Sequence, residues 1–202
     1  MVRSTYRRII RMLRSGQCLG IFLGPPCGTY SCACHPALRS LLHLFGLPHL
    51  AGTALQKTLD ANAVTDRMLR ILEIANACQV PWICENPQTS MLWQLPRMLR
   101  IRKKAFPVHL HQCGFGTPWK KPTTLLCSRI SDPKRMEVKC KPIQKICSHS
   151  GRHHTTLQGA LTSRAAQYPR KMCDQIALVL SDTAWCHQFN MFWQSDFLRC
   201  RA

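Results

Sequence analysis

Three short stretches carry side chains whose types and placement suit chemistry. "GPPCGTYSCAC", residues 24–34, sets Cys27 on a turn stiffened by Pro25 and Pro26, whose rings fix φ and remove two backbone donors. A thiol nucleophile must be held within reach of the carbon it attacks, and a stiff turn does that. On these residues alone, a small structural cysteine at a turn is the simpler reading. The second stretch, "ENP", follows the apolar run "VPWIC" (80–84) and puts the Glu85 carboxylate at the end of a strand. The third, "GFGTPWKKPTTLL", puts Lys120 and Lys121 just ahead of another strand. Open α/β sheets bind ligands at the carboxyl edge of their strands, so thiol and carboxylate are expected at one such edge.

A fourth stretch is rich in metal-type donors. "CKPIQKICSHSGRHH" offers Cys140, Cys147, His149, His153 and His154. Two thiolates and two imidazoles, Cys140, Cys147, His149 and His154, could hold zinc tetrahedrally. The spacing is not that of a standard finger, and a basic surface loop with unligated histidines is the competing reading. Cys32, Cys34 and His35 form a weaker group of the same kind. Arg97, Arg100, Arg102, Lys103 and Lys104 make a basic ribbon that could track a phosphate backbone or simply face solvent. Trp93, flanked by Leu92 and Leu95, reads as core. Trp119, among lysines, reads as a surface on which a base could stack.

These groups need elements to position them. Tyr6, Ile9, Ile10 and Leu13 share one helical face, and residues 55–78 keep helical spacing. "CLGIFL" (18–23) and "VPWIC" read as buried strands, "FPVHLHQC" (106–113) and "TTLLCSR" (123–129) as two more. Residues 35–54 read as loop with one short helix, 89–96 as a helical turn or two, and 168–182 as a final helix begun by Pro169. The order of helices and strands predicts an α/β sheet.

Composition narrows the partners. The chain of 202 residues has 28 Lys and Arg against 9 acids, for a net charge of +19. That imbalance calls for a polyanion, nucleic acid first, with anionic membranes or acidic proteins as the rival. No apolar run is long enough to span a membrane, and no secretory leader is visible. The 13 cysteines, an odd number at irregular spacings, fit reduced thiols in the nucleus or cytosol rather than a secreted protein.

The order Pro-Pro-Cys, then Glu-Asn, then a basic loop before a strand resembles the cytosine-C5 DNA methyltransferase family. "GPPCGTYS" is similar to that family's nucleophile loop, and "ENP" to its Glu-Asn-Val. "GFGTPWKKPTTLL" resembles its basic loop, with lysines for arginines and Trp119 where glutamine is expected. "TSRAAQYPRKMCDQIALVL" weakly resembles its closing motif and last helix. "ENPQTSMLW", "GTPWKKPT" and "CSHSGRHH" resemble more closely the methylase-like reading frames beside protist retroelements. The likeness covers roughly residues 5 to 180.

The resemblance implies a partial Rossmann-like methyltransferase sheet, strands four onward, with flanking helices. It implies a half-domain over residues 1–182, with a Cys/His-rich insert at 130–160 and an unassigned aromatic tail at 183–202. It gives Cys27 the role of nucleophile toward carbon 6 of cytosine, Glu85 that of proton partner at N3, and Asn86 that of loop orienter. Lys120 or Lys121 would hold the base oxygen or a phosphate, and Ser31 joins the nucleic-acid contacts. The methyl donor is S-adenosylmethionine, yet the family's glycine-rich turn and ribose-binding acid are missing, and no Asp or Glu precedes position 60. The expected protein is a methyltransferase-like chain, truncated or degenerate and inactive alone. A non-catalytic nucleic-acid-binding module, with or without zinc, is one alternative. A complementing subunit, whose partner chain supplies the missing half, is the other.

Overall fold

The computed structural model describes residues 3–199. Four strands form one mixed sheet, β1 (Ile21–Leu23), β2 (Trp82–Pro87), β3 (Phe106–His111) and β4 (Pro122–Ser128), in the spatial order β1-β2-β4-β3. β1 and β2 are parallel, and β4 runs antiparallel to both β2 and β3. A parallel pair needs a long crossover. Here it is residues 24–81, which include helix α2 (Gly52–Ala77).

Side-chain alternation along β2 divides the core. Trp82 and Cys84, with Leu126 of β4, pack beneath α1 (Arg3–Arg14), α2 and α3 (Pro96–Arg102). Ile83, with Leu125 and Cys127, packs against Met172, Ile176 and Val179 of α5 (Arg170–Arg199) on the other face. Three layers result, helix, sheet and helix, which is why β2 is apolar on both faces. α2 lies down by Met68, Ile71, Leu72 and Ala75, an i, i+3, i+4, i+7 stripe that is fully buried.

The structure differs from the expected elements in five places. β2 continues through Glu85, Asn86 and Pro87, because β4 pairs with it along its whole length. The basic ribbon is helical, as α3, with Met98 and Ile101 buried on its inner side. Residues 35–51 hold no helix, and a short α4 (Ala160–Arg164) precedes α5. The aromatic tail is not separate: α5 runs through it to Arg199, and residues 200–202 lie outside the described residues. Among the described residues, no helix is long and apolar enough to cross a membrane.

Candidate functional site

β1 ends at Leu23, and the Gly-Pro-Pro-Cys turn leaves the sheet beside the end of β2. The two are tied: the buried Asn86 side chain donates through Nδ2 to the Pro25 carbonyl at 3.1 Å. The turn closes with Tyr30 N–H donating to the Cys27 carbonyl at 3.0 Å. Tyr30 is buried, and its own carbonyl accepts from Met91 N–H at 2.9 Å. A buried arginine braces this loop from behind. Arg39 sits 3.9 Å over the Tyr30 ring and donates to Thr29 Oγ1, Asn62 Oδ1 and the carbonyls of Leu44 and Thr58. None of these partners is a carboxylate, so neutral dipoles and the face of the Tyr30 ring hold a cation that is 3% exposed.

Glycine at position 24 is explained by Tyr168. A Cβ there would lie 2.0 Å from the Tyr168 hydroxyl oxygen. That hydroxyl, steadied by an edge-on contact of its ring with Phe22 (5.4 Å between centroids), donates to Glu85 Oε2 at 2.6 Å. Around these groups opens a cleft of about 590 Å³. Cys27, Ser31, Glu85, Lys121 and Tyr168 share its wall, and residues 162–166 close it from the side. The antiparallel course of β4 brings this about. Cys27 and Glu85 lie toward the carboxyl ends of β1 and β2, whereas Lys121 immediately precedes β4, whose start lies beside the end of β2.

The electrostatics follow from burial. Glu85 is 4% exposed, and desolvation raises its pKa above the usual carboxylate range, opposed by the Tyr168 hydrogen bond and the Lys121 charge. Its Oε1 is buried with no hydrogen-bond partner. The half-buried Cys27 thiol is also pushed up by burial; Lys121 pulls it down and the Glu85 carboxylate pushes it up. A neutral Glu85 therefore favours the thiolate. Lys121 holds φ at +32°, a conformation rare for a side-chain-bearing residue, and its ammonium donates to the Ala165 carbonyl.

Several expected site residues are placed elsewhere or used otherwise. Lys120 does not line the cleft; its carbonyl accepts from Gln112 N–H at 2.8 Å. Trp119 is 8% exposed and gives its indole N–H to Gln112 Oε1, so it packs inside the loop and has no open face for a base. Arg97 spans Glu73 and Asp66 on α2, donating to both Glu73 oxygens, and its charge is spent within the fold. Arg102 reaches the Trp93 carbonyl at 3.4 Å. Arg100, Lys103 and Lys104 are exposed. Lys104, however, lies beside Ser128 at the far end of β4, about 23 Å from Lys121 at ~3.3 Å per residue. The ribbon thus leads away from the cleft. Trp93 is core, as its leucine neighbours imply. Tyr168 and Arg39 carried no sequence signal beyond a Tyr-Pro before a helix and a lone arginine in a loop.

A second group of reactive side chains lies beyond the end of β3. The sulfurs of Cys113, Cys140 and Cys147 and a ring nitrogen of His154 all fall within 4.8 Å of one another, an arrangement that could hold a metal ion. Cys140, Cys147 and His154 were expected there. His149 was not brought in; its place is taken by Cys113, from the 3₁₀ turn Gln112–Phe115 that follows β3. His149 instead contributes its backbone N–H, which donates to Cys147 Sγ at 3.4 Å. Cys113, Cys140 and Cys147 are free thiols.

Comparison with protein-family models, curated proteins and solved structures returned no match.

Proposed function

We propose that the cleft adds the Cys27 thiolate to carbon 6 of a cytosine in nucleic acid, the first half of cytosine-C5 methyl transfer. The observation that carries this reading is Glu85: buried, bonded through one oxygen only, and sharing a cleft with a thiol and an ammonium. A carboxyl kept neutral by burial can donate to N3 of the ring as the sulfur adds. The S–C6 bond forms, the C5=C6 electron pair moves to carbon 5, and N3 takes the charge-relieving proton. Carbon 5 is then nucleophilic. Lys121 favours the thiolate before attack, and Tyr168 fixes the carboxyl. Asn86 holds the nucleophile turn against β2. Ser31, on the cleft wall, would meet the base or its sugar. Lifting a base into such a cleft costs about a few kcal/mol, which a chain of charge +19 can recover from phosphate contacts.

The residues present do not fit S-adenosylmethionine. The carboxylate on the cleft wall, Glu85, is engaged by Tyr168, and no glycine-rich turn with a following acid adjoins β1. The reading is of the nucleophile-bearing part of a Rossmann-like methyltransferase, with the donor-binding part outside these 202 residues. Zinc fits the second group, since thiolates with an imidazole are the donors it takes.

A test without the donor is available. An adduct whose carbon 5 is nucleophilic exchanges the hydrogen there with water before the thiolate leaves. DNA carrying tritium at cytosine carbon 5 is expected to release it above background with the full chain. Cys27→Ala should abolish release, and Glu85→Gln should slow it about 10²–10⁴-fold. No release by the unaltered chain, or unchanged release from Cys27→Ala, would overturn the proposal.

A further inference from the structure

We propose that Cys113, Cys140, Cys147 and His154 form a closed structural zinc centre that fastens the insert to the loop carrying Lys121. This deepens the zinc assignment and is independent of the reaction at Cys27. The distances carry it first. Zinc bonds of about 2.3 Å to sulfur and 2.0–2.1 Å to nitrogen, at tetrahedral angles, set edges of about 3.8 Å between sulfurs and about 3.6 Å from sulfur to nitrogen. Cys140 Sγ lies 3.6 Å from Cys147 Sγ and 3.6 Å from His154 Nε2. The sulfur separation is far beyond a disulfide bond of ~2.05 Å.

The second observation is that the later part of the insert, residues 141–159, has nothing else to fold around. Between residues 141 and 159, Cys147 is the one buried side chain among those described. The third buried cluster of the molecule consists of Cys113, Cys140 and Cys147 and no other residue. A segment this polar does not bury enough apolar surface to order itself, and metal binding is the usual substitute. It also carries an unfavourable turn. Ile143 pairs with Ile146 across Gln144 and Lys145, both at positive φ (49° and 67°), a conformation that usually takes glycine or asparagine.

The surroundings suit thiolates. The Ser148 hydroxyl donates to Cys140 Sγ at 3.5 Å and His149 N–H to Cys147 Sγ at 3.4 Å. Such second contacts orient and steady metal-bound sulfur. Gly114 lets the insert pass: a Cβ there would meet Val138 Cγ1 at 2.2 Å. With four protein donors the centre keeps no open position, so its role is structural. What it fastens is specific. Within the insert, Val138 and Thr155 flank the ligand segment and bond to His111 and Pro118, and Gln112 bonds to Lys120, the neighbour of Lys121.

Metal analysis of the purified full chain is expected to give one zinc per molecule. His149→Ala should keep it, and Cys113→Ser and His154→Ala should lose it. Cobalt(II) exchanged into the unaltered chain should show the charge-transfer absorption of three thiolates. Should Cys113→Ser fail to fold, alkylation of the unaltered chain decides the matter: Cys113, Cys140 and Cys147 should be protected together and become reactive together when a chelator is added. Absence of zinc from the unaltered chain would sink both this centre and the zinc assignment. Zinc that survives Cys113→Ser but not His149→Ala, or a Cys113 whose reactivity ignores the chelator, would sink this ligand set alone.

Discussion

Burial of Glu85 favours its neutral form, while the Tyr168 hydroxyl and Lys121 pull the other way, and burial is the larger effect. A carboxyl whose pKa is higher in the folded than in the unfolded chain binds more protons when folded. Its contribution to stability is therefore complete below the ordinary carboxylate pKa and disappears as pH rises through the raised value. Urea unfolding of the unaltered chain should show stability falling over that window, and Glu85→Gln should flatten the fall. An unchanged pH profile in the variant would show that the carboxyl is ionised in the fold. Cys27, Glu85 and Lys121 could be read from sequence because Cys27 and Lys121 sit beside a proline, and Glu85 two residues before one, that marks a strand's edge. Tyr168 and Cys113 could not. Tyr168 lies 83 residues from the carboxyl it bonds, and Cys113 reads as the last residue of a strand. Local pattern carries no information about such partners.

At the scale of elements, the cleft depends on how closely α5 and the residues before it approach the end of β1. Gly24 sets that distance, since any larger residue collides with the Tyr168 hydroxyl. Gly24→Ala should cost about 1–3 kcal/mol of unfolding free energy, the usual penalty for overpacking. It should also lower tritium release, because Tyr168 can no longer reach Glu85. Unfolding curves together with the exchange assay check both. The strands and α2 were legible because prolines end the apolar runs and the 3.6-residue period is regular. The pairing order was not, because the placement of β4 between β2 and β3 is decided by contacts across the sheet. The same limit hid α3: its charges read as a ribbon, while Met98 and Ile101 make it a packed helix.

For the whole molecule, the charge of +19 is distributed less freely than a count implies. Arg97 is committed to Glu73 and Asp66, and Arg135 to Asp182. Arg97→Ala should therefore lower stability by about 0.2–1 kcal/mol per lost pair, as for partly exposed ion pairs, and leave the salt dependence of DNA affinity unchanged. A phosphate contact would instead lower the slope of log K against log salt by about 0.9. Affinity titrations at several salt concentrations distinguish the two. Composition gives the sign of the net charge, but which cations are already neutralised depends on tertiary neighbours.

The hydrogen bonds that finish the cleft join residues far apart along the chain, Asn86 to Pro25 across 61 positions and Tyr168 to Glu85 across 83. Pairings so distant are the slowest to be made. A ribosome that has released residues 1–130 has delivered the sulfur, the carboxyl and the ammonium, but not the phenol that aligns them. Until the segment ahead of the last helix docks, the thiol at position 27 lacks the burial that holds its pKa above the free value, so the nascent chain carries it more readily ionised than the finished fold does.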